Sequence, residues 1–288
     1  MTSNGKVLDT ISALYDSLTK TEKRIASTIL SSPHLMTQAP LAEIAKSLDV
    51  GEATLVRFCR TLGFKGFTDF KLVLAIELAT TEKNHNALLD SEINHEDNTA
   101  QIAAKLQVAM VNVINETINL LDLTELEKTV ELLRTAKRIF FFGVGSSGIT
   151  AEDTKHKFMR IGLPVDASTN NHFMYMQAAL MQKGDVAVGI SHSGSSKETI
   201  QALEIAQRNG AKTVALTHNL RSPITRVADL VLINGNRQGQ LQGDSMRTKI
   251  AQLFVLDMLY TLIVQAEQEK AVKTKQKTVD VILEQRIK

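Results

Sequence analysis

Two short turns rich in glycine and serine carry the groups best suited to hold an anion. The first is Gly143-Val-Gly-Ser-Ser-Gly148, between an apolar run and a helical pattern. Its glycines permit tight backbone turns, and free amides at the positive end of a helix favour a phosphate. The second is Ser191-His-Ser-Gly-Ser-Ser196, in the same kind of place. The hydroxyls of Ser147, Ser191, Ser193 and Ser196 match phosphate oxygens as donors without adding charge. The first turn is also a literal G-x-G-x-x-G, with Asp166 lying 18 residues past Gly148 at the end of the next strand-like run. That is the dinucleotide-binding fingerprint. A dinucleotide site does not require a second serine-rich turn at the same sheet edge, so the pair favours a compact phosphorylated ligand. Either turn alone also reads as a connector chosen for its turn chemistry.

A third segment, Leu41–Arg60, has the pattern of two short helices joined by the turn Asp49-Val50-Gly51. Ala45 allows close helix contact, and Val50 is expected to point inward from the turn. Leu55, Cys59 and Leu62 share one face of the second helix, which leaves Glu52, Thr54, Arg57 and Arg60 on the wet face. A recognition helix presents its N-terminal side chains to base edges in the major groove. Arg57 suits a guanine, and Thr54 a thymine methyl or a phosphate. Between Ala53 and Ile76 the basic residues are Arg57, Arg60, Lys65 and Lys71, against Asp69 alone, although the whole chain carries a formal charge of only +2. Local positive charge suits phosphate contacts and salt-dependent binding. The competing reading is a helical bundle that only packs or dimerises. Cys59, the single cysteine, reads as a small buried apolar residue.

These groups must be positioned by the elements around them. Up to about residue 80 the periodicity is helical. Val7, Leu8, Ile11, Leu14, Tyr15 and Leu18 form one face, Thr19 and Glu22 make a capping box, and Ser31-Ser32-Pro33 ends the helix that follows. Helices are expected over 41–48, 52–62 and 68–78. Residues 80–99 are polar and acidic, as a linker is. A helix over 100–121 follows, then one over 124–136. Strand-like runs at 138–142, 163–167, 186–190, 213–217 and 230–233 alternate with helical segments. That alternation predicts a five-stranded parallel sheet covered on both faces, with its ligand site off the carboxyl ends of the strands. A long apolar helix over 250–265 and a lysine-rich stretch, Lys270 to Lys277, close the chain.

Composition narrows the classes. The 288 residues are 43% hydrophobic and 22% charged, ordinary for a globular chain of about two domains. One cysteine excludes an intrachain disulfide and a cysteine-based zinc site, and fits a reducing compartment. No uninterrupted apolar run approaches the ~18 residues of a membrane span. The first residues, MTSNGKVLDT, lack the features of a signal peptide.

The segment from Leu18-Thr19-Lys-Thr-Glu22 through Ala45, Arg57-Phe58, Leu62-Gly63-Phe64 and Gly66-Phe67 resembles the N-terminal domain of RpiR-type bacterial transcriptional regulators. The turns at 143–148 and 191–196, with His156-Lys-Phe-Met-Arg-Ile-Gly162 and Lys183-Gly-Asp185, resemble the sugar isomerase (SIS) domain of the same regulators. The resemblance implies an all-α helix-turn-helix domain over 1–79 and an acidic linker with a connecting helix over 80–123. It further implies an α/β doubly wound, flavodoxin-like SIS domain over 124–270 and a basic tail over 271–288. It implies DNA contacts from Glu52, Thr54, Arg57, Arg60, Lys65 and Lys71. It implies effector contacts from Ser147, Ser191, Ser193 and Ser196, with His192 as a sugar contact. The family usually has serine where this chain has Gly51, a cap change worth only a few tenths of a kcal/mol.

The function so implied is a cytoplasmic regulator, a repressor of a sugar or amino-sugar catabolic operon. Its partners are double-stranded operator DNA and a phosphosugar effector, with glucosamine 6-phosphate or a related amino-sugar phosphate as the first choice. A homodimer or homotetramer is expected, with no cofactor, metal or membrane. The alternative is an aldose–ketose phosphosugar isomerase, whose general base would come from Glu152, His156, His172 or His192. A dinucleotide enzyme built on Asp166 is the third reading. His34, His85 and His95 read as solvated, and Met174, Met176 and Met181 as core or interface. Ser245-Met-Arg247 is a candidate cap of the sugar pocket.

Overall fold

The computed structural model describes residues 7–82, 96–235 and 246–285. The chain divides into two compact units, one essentially up to Leu120 and one essentially from Leu121.

The first unit is all helix. Helix α1 (Val7–Leu14) leads through a one-turn 3₁₀ segment into α2 (Lys20–Ser31). The capping box forms: Glu22 N–H donates to Thr19 Oγ1 at 3.4 Å, and Thr19 N–H to Glu22 Oε2 at 3.0 Å. Pro33 does end α2, yet it also starts an unexpected helix, α3 (Pro33–Gln38). A proline loses nothing in a first turn, where its missing N–H has no partner to find. Helices α4 (Leu41–Ser47), α5 (Glu52–Thr61), α6 (Phe67–Glu82) and α7 (Thr99–Leu120) follow. Ile11, Ile25, Ile29, Met36, Ile44, Leu55, Phe58, Phe70 and Leu74 are buried among them. Glu77 of α6 is buried as well, and its carboxylate accepts the N–H of Val7 at 2.5 Å. A distant helix thus satisfies an amide that the first turn of α1 cannot.

The second unit opens with α8 (Leu123–Thr135), capped by Asp122, which accepts from Thr124 N–H at 2.9 Å. Then come β1 (Arg138–Gly143), α9 (Gly145–Met159), β2 (Val165–Ser168), α10 (Asn171–Ala179) and β3 (Asp185–Ile190). The remainder is α11 (Lys197–Arg208), β4 (Lys212–Thr217), β5 (Leu230–Ile233), α12 (Met246–Ala266) and α13 (Gln268–Glu284). The five strands are parallel, as the alternation predicts, and lie in the order β2-β1-β3-β4-β5 of a flavodoxin-like doubly wound sheet. Successive strand side chains point to opposite faces. Ile139 and Phe141 of β1 pack with Leu126, Phe158, Val255 and Leu259, under α8, α9 and α12. Phe140 and Phe142 pack with Met174, Ala178, Ala202 and Leu203, under α10 and α11.

One C-terminal expectation changes. Helix α12 reaches the length and mean hydropathy of a membrane span although Gln252 and Asp257 interrupt its apolar run. Its Ala251, Gln252, Val255, Leu256, Leu259 and Ile263 are buried in the unit's core. The basic stretch is an exposed part of a helix, the 17-residue α13, whose Ala271 is buried.

Candidate functional site

The turn after β1 is built around glycines. A Cβ on Gly143 would sit 2.8 Å from the Ser147 carbonyl oxygen, and one on Gly148 would sit 2.9 Å from the Gly143 oxygen. Gly145 has φ +57°, the left-handed region that glycine enters without cost. The chain therefore turns straight from the strand into α9, whose first amides point out of the helix end. Ser147, in that first turn, is buried. Its Oγ accepts from Gln252 Nε2 at 3.1 Å, and Gln252 Oε1 accepts from Thr150 Oγ1 at 3.1 Å.

The turn after β3 is tied to itself by hydroxyls. Ser191 is buried, and its Oγ donates to Ser196 Oγ at 3.0 Å while accepting from Ser196 N–H at 3.4 Å. Ser193 is exposed, and its Oγ accepts from Ser195 N–H at 3.2 Å. Gly194 has φ +67°. A Cβ there would fall 2.0 Å from Ser222 Oγ, so the loop after β4 lies hard against it. Two further hydroxyls, Ser146 Oγ in the first turn and Thr199 Oγ1 in α11, are inaccessible and make no hydrogen bond among the described residues.

Sheet register brings these turns to one edge. Gly143 is level with Ile190, and Ile190 with Leu216, so the loops after β1, β3 and β4 leave adjacent strands together. Two helix N-termini and a set of serine hydroxyls thus flank one region at the carboxyl ends of the strands, an arrangement suited to a phosphate. His192 is half-buried and stacks on His218 with ring centroids 5.3 Å apart. The His192 carbonyl accepts from Thr217 Oγ1 at 3.1 Å, and His218 Nδ1 lies 3.0 Å from the Asn234 carbonyl oxygen. The loop from Thr217 to Ser222 was missed, although its run of polar residues directly after a strand was a visible signal. Gln252 was missed for a better reason: it lies 105 positions from Ser147 with no local motif around it.

The rival sites take a different shape. Asp166 lies within β2 opposite Phe140, not at the strand's end. Its Oδ1 is 3.2 Å from Lys155 Nζ, and its Oδ2 accepts from Gln177 Nε2 at 2.8 Å. It is thus set back from the phosphate turn and engaged by the sheet's own neighbours. Glu152 pairs with Lys155 at 3.4 Å. His156 is exposed in the last turn of α9, at the opposite end from the loop. His172 is exposed in the first turn of α10. Met174 and Met181 are core residues, whereas Met176 is exposed. Met246 and Arg247 begin α12, and Ser245 lies outside the described residues, as do His85 and His95.

In the first unit, α4 and α5 form the helix-turn-helix. Asp49 takes the left-handed conformation, φ +50°, which lets Val50 N–H reach the Ala45 carbonyl at 3.0 Å. Val50 itself is only half-buried. Arg24 of α2 donates to the Asp49 carbonyl at 2.8 Å and so holds the turn from outside. Leu55, Phe58, Cys59 and Leu62 are buried on the inner face. Burial pushes the Cys59 thiol up to about 12, which leaves it an unreactive core residue.

On the outer face Glu52, Arg57 and Arg60 are exposed and Thr54 is half-buried. Arg57 Nη2 donates to Thr54 Oγ1 at 3.2 Å, so the two expected base-reading residues meet in the free protein. Lys65 is exposed, with its N–H held by Asp69 Oδ2 at 2.9 Å. Lys71 departs from the rest: its Nζ donates to the Ala39 carbonyl at 2.8 Å, so part of its bonding serves the α3–α4 connection.

Residues 5–81 match the helix-turn-helix domain of the rpiR family, and residues 132–262 match the SIS domain. The chain is 64% identical over 288 residues to an uncharacterized HTH-type transcriptional regulator of Haemophilus influenzae, with 100% of each chain covered. A second such regulator, from Caldanaerobacter subterraneus subsp. tengcongensis, is 36% identical over 276 residues, 96% of each. Among solved structures, the Vibrio vulnificus NanR protein complexed with ManNAc-6P superposes with a TM-score of 0.63 at 26% identity, covering 98% of this chain and 100% of that one.

Proposed function

The chain belongs to the rpiR family of helix-turn-helix transcriptional regulators with a SIS domain, and from that premise we propose that it represses a sugar or amino-sugar catabolic operon under control of an amino-sugar phosphate. The observation that carries the effector half is the pair of helix-opening serine turns level with each other on adjacent strands. Ser147, Ser193 and Ser196 donate to the phosphoryl group there, Ser191 acts through Ser196, whose Oγ takes its proton, and His192 lines the sugar end. The amino-sugar class is supported by the phosphosugar bound in the NanR neighbour. Glucosamine 6-phosphate and N-acetylmannosamine 6-phosphate are its two leading members.

The DNA half rests on the outer face of α5. Arg57 and Thr54 read base edges, while Arg60 and Lys65 contact phosphates. Half-site spacing on DNA mirrors the two-fold symmetry of a protein, so a homodimer or homotetramer reads a near-palindromic operator. The regulator works where operator DNA is, in the cytoplasm. Regulation is favoured over isomerisation by the helix-turn-helix domain, for which an isomerase has no use, and by His156, which lies at the far end of its helix from the turn.

A thermal-melt panel on the full chain tests this reading. It contains both amino-sugar phosphates, glucose 6-phosphate, inorganic phosphate and NAD. A ligand at 100 times its dissociation constant adds about 2.7 kcal/mol to the state that binds it. The expected result is a shift with one amino-sugar phosphate and none with inorganic phosphate or NAD. A shift with NAD alone overturns the phosphosugar reading. The active sugar titrated into an operator-binding assay then gives the direction of control. Its effect on DNA affinity is bounded by its differential affinity for the two states.

A further inference from the structure

Helix α12 lies on α9 through an apolar seam in which Ala151 and Phe158 share a cluster with Val255 and Leu259. Gln252 breaks that seam. It is fully buried, at a position where leucine or methionine would pack without a polar group to satisfy. Both ends of its amide are engaged, and both partners are hydroxyls at the start of α9: Nε2 on Ser147 and Oε1 on Thr150, each at 3.1 Å. Ser147 belongs to the glycine-rich turn after β1, the proposed phosphate loop.

A serine hydroxyl has one proton and two lone pairs, whereas a phosphate dianion only accepts. The loop therefore gains from Ser147 only when its proton faces the ligand. A hydroxyl early in a helix tends otherwise to turn its proton to a nearby backbone carbonyl. The Gln252 N–H occupies a Ser147 lone pair and leaves the proton free to be donated outward.

We propose that Gln252 is a positioning residue of the effector site, which fixes the rotation of the Ser147 hydroxyl so that its proton is presented to a phosphoryl oxygen. The proposal rests on the phosphosugar reading of the loops and adds to it a residue from another helix that no local motif marks. It also distinguishes Ser147 from Ser191, whose hydroxyl is oriented within its own turn by Ser196.

A double-mutant cycle on the full chain separates positioning from packing. Affinity for glucosamine 6-phosphate and N-acetylmannosamine 6-phosphate is measured by calorimetry for wild type, Gln252→Met, Ser147→Ala and the double variant. Methionine conserves volume, and Thr150 Oγ1 keeps the Ser146 carbonyl at 3.3 Å as an acceptor, so the ligand-free melting temperature of Gln252→Met is expected to fall by only a few degrees. Gln252→Met is expected to weaken the tighter sugar about 10-fold, the scale of one hydrogen bond to a charged acceptor. In the Ser147→Ala background the same change is expected to cost less than about 2-fold, because the hydroxyl it orients is gone. Gln252→Leu, which also lacks the donor, is expected to lose about as much affinity as Gln252→Met, and serves as the second variant should methionine disturb folding. An equal loss in both backgrounds, or no loss from Gln252→Met, overturns the positioning role while leaving the phosphosugar reading intact. Wild-type protein that binds neither sugar overturns both.

Discussion

The two proposed recognition sites are built differently: α5 offers exposed side chains on a helix whose other face makes the core, whereas the turns at the sheet edge offer helix-end amides and hydroxyls that are buried at Ser147 and Ser191 and exposed at Ser193. Arg57 and Arg60 of α5 stand in solvent, and Leu55, Phe58 and Cys59 behind them are buried. On the proposed reading, recognition and stability are thus carried by different faces of one helix. In the second unit they coincide. Gly143 both shapes the phosphate turn and packs against the Ser147 carbonyl, and Ser147 both offers its hydroxyl and bonds the core residue Gln252. Substitutions on α5 should therefore separate binding from folding, and substitutions in the phosphate turns should not.

The largest effect is expected at Gly143. An added Cβ meets backbone atoms, the Ser147 oxygen at 2.8 Å and carbon at 2.9 Å, which cannot rotate away. Gly143→Ala should destabilise the second unit by about 2–3 kcal/mol, the range for overpacking a closed site, and abolish phosphosugar binding. Urea denaturation with a calorimetric titration checks both; an alanine variant that binds normally would break the claim that fold and site coincide there. Next is Arg57→Ala, which should cost about 2 kcal/mol in affinity for the operator if the guanidinium reads a base. The melting temperature should stay unchanged, because exposed side chains seldom carry stability. Equal loss on operator and random DNA would instead make Arg57 a phosphate contact.

The same contrast explains what the amino-acid sequence disclosed. The alternation of strands and helices, the capping box, the helix-turn-helix and both serine turns were legible because each depends on local periodicity or turn chemistry. Helix α3 was not, since Pro33 carries one signal for ending a helix and another for starting one. The use of Lys71 on the Ala39 carbonyl, 32 residues away, is a tertiary fact. So is Gln252, whose amide means nothing until α12 is laid on α9. Asp166 met the dinucleotide spacing but not its geometry, because β2 runs from Val165 to Ser168 and places that carboxylate short of the strand's end. Spacing places a residue on an element; register decides whether it reaches the edge.

A smaller effect should appear on acidification of the second unit. Burial pushes the Asp185 carboxyl up. The Arg138 guanidinium at 2.5 Å, the Gln182 N–H at 2.9 Å and the charge of Lys137 more than offset this, and hold it below the usual carboxylate range. A carboxylate whose folded pKa is lowered stabilises the fold above the unfolded value of about 3.9, and that contribution disappears as pH falls through the lower folded value. Asp185→Asn should therefore cost about 1 kcal/mol at neutral pH, the scale of a net hydrogen bond to a half-exposed partner. Its stability should also fall less steeply below about pH 4 than that of wild type. Parallel acid limbs for the two proteins would remove Asp185 from the account.

The smallest effect concerns the other kind of glycine. Gly51 is the N-cap of α5, with φ −73° and ψ 146°, an extended conformation open to any residue, and it provides no side-chain cap. A Cβ there would meet only Thr54 Oγ1, at an ordinary 3.9 Å. Nothing resists Gly51→Ser, in contrast to Gly143. The new hydroxyl would accept from an amide in the first turn of α5, where Thr54 N–H now relies on the Gly51 carbonyl at 2.8 Å. Serine exceeds glycine at a cap by a few tenths of a kcal/mol, so the first unit should melt slightly higher. The hydroxyl would also sit at the helix end that docks on DNA, where a gain in operator affinity with a steeper salt dependence would identify a new phosphate contact. A lower melting temperature would show that Gly51 shapes the turn after all, and would bring the two regions closer together than their geometry suggests.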